Sequence, residues 1–532
     1  MTNDLPRGLV GAAALVVAAL ILWPFTQALY LPLTDLPNHI ARHTIMAAGP
    51  DSALATYYTS HFTLVPNSAV DLLWQAFGSP GEATTFSHRI MALAALNLFG
   101  AGMVLARVIH GRWTWFSLAC GLCVFNAAFL YGFQNYTFSL PFGLYAFALY
   151  FALEGRKLWL RFAVFAALTP VLFLMHFFAF AVLGALAFGR ELQKLIEAGF
   201  ARDVLGRGAL MAVPFLLPVA WLLYGMAAGP ENPAGTFTDF GVLSERLHRL
   251  GTPLYTWATD LTPVLNLTGF AIVIALYALF ATALFRSSWG LRVAQPMRGP
   301  VLVLLALVFL VPDWLAGVAL IELRFPFVFV LVMIAASRFE VASRTQAMVI
   351  ALCLLSAVGI RSAQITEWWQ KHDAEMRDLV SLLEAGVEPG DRVLPVRAEG
   401  AFGMARHWHV QAYATAHKEA FIPTLFQGVH AVQLRDVWAG HATPLMHANP
   451  ACALFGGARY EVIGGKDDCR VEAYLANWPE KFTHVLAMEP LSTAALDGAP
   501  VKRVGREGRF ELYRVLTPDA NPHSVEGRDE AS

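Results

Sequence analysis

Charge is what this 532-residue chain is short of: Asp, Glu, Lys and Arg make up 14% of it, against 57% hydrophobic residues, where a soluble domain carries about 25% charged residues. No Lys/Arg block occurs, and 38 basic residues nearly balance 39 acidic ones. Nucleic-acid binding is thereby excluded, and so is a soluble cytosolic enzyme. Cysteine is scarce as well, five in all, and no Gly-rich phosphate loop follows a strand.

The charge is also unevenly spread. Residues 1–360 hold 20 basic and 16 acidic side chains, whereas the remaining 172 residues hold 18 and 23. The chain is therefore built for two solvents, with a membrane part over 1–360, a domain of ordinary composition over 361–517, and a polar tail over 518–532 expected to be disordered.

A crossing helix needs roughly 20 apolar residues for a core of about 30 Å. Stretches free of charged residues recur at 8–30, 90–106, 113–153, 162–189, 208–230, 261–285, 299–312, 325–337 and 345–360. The first is expected to be a retained span, not a cleaved signal peptide. Residues 113–153 suffice for two spans turning at Tyr131–Asn135. Basic residues flank 162–189 on both sides (Arg156, Lys157 and Arg161; Arg190, Lys194, Arg202 and Arg207). The positive-inside rule puts both flanks in the cytoplasm, so this stretch is expected to be a short re-entrant-like hairpin with Met175 and His176 at its tip. Fifteen of the twenty basic residues then fall inside. The expected architecture is a polytopic α-helical membrane protein of about 11 membrane helices, N-terminus cytoplasmic, with a small C-terminal extracytoplasmic α/β domain. Strands are expected at Arg392–Val396, Thr483–Ala487 and Phe510–Val515. Cys452 and Cys469 fall in that outer domain and could pair, while Cys120 and Cys123 lie in an apolar run and read as core.

Ionisable groups at membrane depth or at the mouths of spans carry the functional information, since each is costly unless paired or hydrated. Directly after the first span comes Leu33-Thr-Asp-Leu-Pro-Asn-His-Ile-Ala-Arg-His43. With Pro37 opening a helix, His39, Arg42 and His43 share one face at i, i+3 and i+4, and Asp35 caps or precedes it. An interfacial helix meeting lipid headgroups is the plain alternative, and a divalent-metal site from Asp35, His39 and His43 is conceivable by spacing. Other outer turns offer Gln134 and Asn135, His176, Asp313, Glu322 and Arg324. Taken singly, His176 reads as a satisfied core histidine and Glu322 with Arg324 as a structural ion pair, but all of them map to one membrane face. In the outer domain, the His407–Tyr413 stretch with His417 and His430 reads as packing sooner than as a partner or sugar platform.

An acid after the first span, a helix pair with a His at its tip, Leu323-Arg-Phe-Pro326 opening a late span, and an outer C-terminal domain together resemble the GT-C superfamily. These are integral-membrane glycosyltransferases that use polyprenyl-phosphate carriers. Asp35-Leu-Pro-Asn-His-Ile-Ala-Arg42 and the Tyr413–Phe426 region look like a bacterial branch of them. The resemblance implies a bacterial inner-membrane protein with its C-terminal domain in the periplasm. It further implies a polyprenyl-phosphate-sugar donor and a glycan, lipid or protein acceptor. Asp35 is then the catalytic base and Arg324 the main phosphate contact, with His39, Arg42, His43, Gln134, Asn135, His176 and Glu322 as substrate-binding candidates. GT-C enzymes often place a second acid in an outer loop, where Tyr131–Tyr136 offers Gln134 and Asn135; no metal ligand is assigned, although a divalent metal stays possible. A transporter or lipid flippase would favour paired broken helices in two related halves, and no such repeat is visible. A non-catalytic envelope polysaccharide assembly factor is the remaining alternative.

Overall fold

The computed structural model describes residues 5–228, 238–254, 263–281, 290–315, 318–398, 405–426, 431–443, 448–455, 472–492 and 496–516. The chain forms two compact units. One comprises 1–36, 63–78 and 84–373, the other 37–62, 79–83 and 374–532.

The first unit is almost wholly helical. Among the described residues, six helices are long and apolar enough to cross a membrane: Arg7–Gln27, Ala83–His110, Leu158–Met175, Arg202–Tyr224, Pro263–Ala281 and Arg344–Gly386. This is a multi-pass membrane protein. Between them, Gln134–Ala152 and Phe177–Glu197, 19 and 21 residues long, pack on each other and on their neighbours.

Three sequence expectations change here. The 162–189 stretch does break at His176, but into Leu158–Met175 and Phe177–Glu197 of 18 and 21 residues, not into a short re-entrant hairpin. Charge-free limits misled because the charges at the ends neutralise one another inside the helices. Arg190 and Lys194 meet Glu154 at 2.8 and 3.0 Å, and Lys194 and Arg161 meet Glu191 at 2.8 and 3.3 Å. Secondly, the first half of 113–153 is no spanning helix. It runs as a 3-10 helix Trp115–Cys123 and a short helix Ala127–Leu130, all buried. Its backbone lies so near the first helix that a Cβ on Gly121 would stand 2.6 Å from Val17. Asn126 joins the two pieces, its Oδ1 accepting from the Phe129 N–H at 3.0 Å and its Nδ2 donating to the carbonyls of Cys123 and Val124 at 3.0 and 3.1 Å. Thirdly, the 325–337 run yields only Pro326–Ala335, ten residues, every one buried. That is about 15 Å of helix, too short to cross and walled off by protein.

The long final helix Arg344–Gly386 has 43 residues, carrying the charge-free 345–360 stretch without a break into the more polar residues that follow it. Near its polar end Asp373 is buried and accepts from the backbone N–H groups of Leu29 and Tyr30, both at 2.8 Å, where the first helix has ended and its chain turns away. Asp373→Ala would leave two donors without this acceptor, at about 1–3 kcal/mol each. A clear fall in thermal midpoint in detergent is expected, with Asp373→Asn retaining most of the wild-type value; equal midpoints for Ala and wild type would refute this role.

The second unit holds a five-stranded sheet in the order Asn449–Pro450, Val393–Arg397, His484–Ala487, Phe510–Val515, Val501–Glu507. The first three run parallel and the last two are antiparallel additions, so the three expected strands are all present within a residue or two. Residues 37–62 belong to this unit for a visible reason: Tyr58–Ser60 pairs antiparallel with Val432–Leu434, and Tyr57 packs on Phe421 and Trp438 with ring centroids 5.1 and 4.7 Å away. His407, His409 and Tyr413 are buried, in keeping with packing, and His430 lies outside the described residues. His407 sits between Glu375 and Arg509, at 2.9 and 3.1 Å; burial holds its imidazole down to about 4, so it is neutral at physiological pH. Cys452 is disulfide-bonded; Cys469 and the tail 518–532 lie outside the described residues.

Candidate active site

The site is built where the chain leaves the first helix, at the turn before Gln134–Ala152, and on the short 3-10 helix Ile321–Arg324. Asp35 is half-buried, and its backbone N–H donates to the Tyr131 carbonyl at 3.0 Å. Gly132 permits that approach: its φ is +79°, and a Cβ there would stand 3.1 Å from the nitrogens of Asp35 and Leu36. An L side chain would be strained on both counts.

From the other side, Arg324 enters the same turn. Its guanidinium carbon stands 4.6 Å from the Phe133 ring centre and 4.5 Å from that of Phe178, two cation–π contacts in one buried position. Nη1 donates to the Ala319 carbonyl at 3.1 Å, while Nε is buried without a partner among the described residues. The Tyr136 hydroxyl donates to the Arg324 carbonyl at 2.7 Å, and Pro326 begins the buried helix behind it. Leu320 enters the 3-10 helix at φ +57°, an uncommon conformation for a branched residue. Position and orientation of the cation are thus fixed by packing, while part of its donor edge is left unused.

Electrostatics tie the pieces together. Burial lowers the Arg324 guanidinium to about 10, and Tyr136, Glu322 and Asp35 act in the opposite direction, so it is charged at pH 7 and feels the Asp35 carboxylate. Burial raises Glu322 to about 7, with Asp313 adding to the rise and Arg249 and Arg324 opposing it. Glu322 does not pair with Arg324 as the sequence suggested; its Oε2 is buried without a partner among the described residues. Asp313 pairs instead with Arg249 at 2.5 Å, and Arg249 also donates to the carbonyls of Val308 and Val311 at 3.1 and 2.8 Å. With its carboxyl shifted up from 4.5 to about 7, Glu322 favours the folded state fully below its unfolded value and loses that advantage as pH rises to 7. The thermal midpoint should accordingly fall between pH 4.5 and 7 by an amount that Glu322→Gln abolishes. A pH profile unchanged by that substitution would contradict the burial.

His176 stands beside the same residues in a structural role. Its Nδ1 accepts from the Phe178 N–H at 3.0 Å, capping Phe177–Glu197, and its ring packs on Tyr136 at 5.3 Å. Asn135 is likewise partly committed, its Oδ1 accepting from the Val70 N–H at 2.9 Å. Gln134 is fully buried, and neither atom of its amide has a partner among the described residues. His39, Arg42 and His43 belong to the second unit. All three are buried and engaged, so the Leu36–Ala47 helix does not turn them to lipid headgroups; the His39 and His409 rings pack on Phe426. Within the first unit, the described residues place no cluster of metal-ligating side chains around Asp35. Sequence reasoning missed Phe133, Tyr136, Phe178 and Arg249, and only an aromatic turn beside two polar residues hinted at the first two.

No family model matches the chain, and no curated protein matches it. Among solved structures it is similar to ArnT from Cupriavidus metallidurans in the apo state, with a TM-score of 0.50 and 14% identity over 96% of this chain and 98% of that one. The same protein bound to undecaprenyl phosphate gives a TM-score of 0.48, also at 14% identity. At this identity the apo likeness shows a shared fold, in agreement with the GT-C resemblance read from the residues.

Proposed function

We propose that the chain is a membrane glycosyltransferase that moves a sugar from a polyprenyl-phosphate-linked donor to an extracytoplasmic glycan, lipid or protein acceptor. One observation carries the reading. A guanidinium held between two aromatic rings keeps an Nε without a partner among the described residues, within electrostatic range of a half-buried carboxylate, on a fold shared with ArnT. We place the protein in a bacterial inner membrane, N-terminus cytoplasmic and C-terminal domain periplasmic, and the basic residues of the first 360 positions support that orientation. The eleven passes expected from the sequence would include helices of 10 to 13 residues, which can lie at membrane depth only behind a protein wall.

The chemistry assigned to these residues is a single displacement. An acceptor hydroxyl attacks the anomeric carbon, its proton passes to Asp35, and the bond from that carbon to the phosphate oxygen breaks with its electron pair. The lipid phosphate departs as an anion and is held by Arg324. Inversion at the anomeric carbon follows. Glu322, near its midpoint at neutral pH, sets the local charge beside Arg324 and leaves the cation unpaired for phosphate.

The test is to purify the protein, analyse bound lipid by mass spectrometry and follow its fate with acceptors. A transferase consumes a glycosylated polyprenyl phosphate and releases the bare one. A flippase would move the lipid unchanged and an assembly factor would not touch it; either result would overturn the reading.

A further inference from the structure

We infer that Gln134 reads the sugar of the donor by pairing with its hydroxyl groups, which makes it a specificity-determining residue of the site proposed above. The inference rests on that reading and adds the class of group recognised: a neutral, hydroxyl-bearing part of the glycosyl unit.

The burial of Gln134 is an energetic anomaly. Gln134 is 0% exposed, and both Nε2 and Oε1 lack a hydrogen-bond partner among the described residues. Buried polar groups are nearly always paired, and an exception calls for an explanation. Leu or Met would fill the same volume without the penalty of burying an unpaired amide. Its surroundings give the explanation. The turn that presents Gln134 touches the Asp35 backbone through Tyr131 and Gly132, and it reaches Arg324 through Phe133 and Tyr136. The amide therefore lies on the segment that joins the proposed base to the proposed phosphate contact, where the glycosyl unit must sit during transfer.

The kind of partner follows from which atoms are unpaired. Asn135 Nδ2 and Arg324 Nε, two of the buried atoms nearby without partners among the described residues, are donors only and suit a phosphate oxygen. Gln134 presents a donor and an acceptor together. A phosphate can only accept from it, and an ammonium can only donate to it. Hydroxyls do both, and two on adjacent carbons would satisfy the whole amide. Since the amide is closed to water, the sugar must displace a side chain of the 131–136 turn to reach it, and water then offers little competition for the bonds.

The experiment compares affinities of the purified full-length protein for undecaprenyl phosphate and for its glucosyl, mannosyl and arabinosyl derivatives. The wild type should prefer at least one glycosylated lipid over the bare one. Gln134→Met should bind bare undecaprenyl phosphate within twofold of wild type, lose tenfold to a hundredfold in affinity for the preferred glycosylated lipid, and keep or raise its thermal midpoint. Gln134→Asn, with the amide retained on a shorter stem, should fold normally and fall between the two. If Gln134→Met lowers the midpoint, the amide is a structural group and the inference fails. Equal loss for bare and glycosylated lipids, an undiminished preference, or no wild-type preference at all would also overturn it, while leaving the transferase reading in place. A wild type that binds neither lipid would overturn both.

Discussion

Asp35→Asn should yield a protein that folds, reaches the membrane and transfers sugar about 10²–10⁴-fold more slowly than wild type. The backbone N–H of residue 35 donates to Tyr131, and Asn keeps that bond and the size of the side chain. What Asn lacks is a basic oxygen to accept the acceptor's proton as the new bond forms. The substitution also removes one of the negative charges that act on Arg324, which should leave phosphate binding intact or slightly tightened. The signature is therefore a fall in kcat with little change in donor affinity. Wild-type transfer by Asp35→Asn, measured as product formed from a glycosylated polyprenyl phosphate, would remove Asp35 from the chemistry.

Arg324→Ala should produce the complementary defect. A phosphate that loses a charged donor forfeits about 1.5–3 kcal/mol per hydrogen bond, so two such bonds correspond to a loss on the order of 10²–10⁴-fold in donor affinity. Lys should rescue poorly, because a point charge cannot keep a flat fork between the rings of Phe133 and Phe178. The folded protein should survive, since among the described residues the guanidinium spends one hydrogen bond, to Ala319. Phosphate-lipid affinity measured by titration separates this from a stability effect, and equal affinities in Arg324→Ala and wild type would refute the contact.

How far the sequence reached depended on whether a feature was local. The helix beginning beside Pro37 and the break at His176 are set by neighbours along the chain, and the structure places them within a residue of expectation. The strands of the second unit follow from short apolar runs in the same way. Helix limits fared worse wherever ion pairs allowed charged residues into a helix, as with Arg161, Glu191 and Lys194. The enclosure of Arg324 was hidden for a different reason: Phe133 comes from the turn before one helix and Phe178 from another helix, and no periodicity announces which ring will face a cation. The same holds for Arg249, whose choice of Asp313 over Glu322 leaves one acid paired and the other raised. His39, Arg42 and His43 share a helix face as their spacing requires, yet they fall in a different compact unit from Asp35, a division that sequence proximity conceals.

The most direct measurement is the lipid carried by three purified proteins, wild type, Asp35→Asn and Arg324→Ala, identified by mass spectrometry after extraction from membranes. Wild type should carry polyprenyl phosphate, Asp35→Asn should accumulate the unconsumed glycosylated form, and Arg324→Ala should carry neither. Equal amounts of the same lipid in all three, or none in the wild type, would contradict a site in which one side chain holds the phosphate and the other drives the transfer.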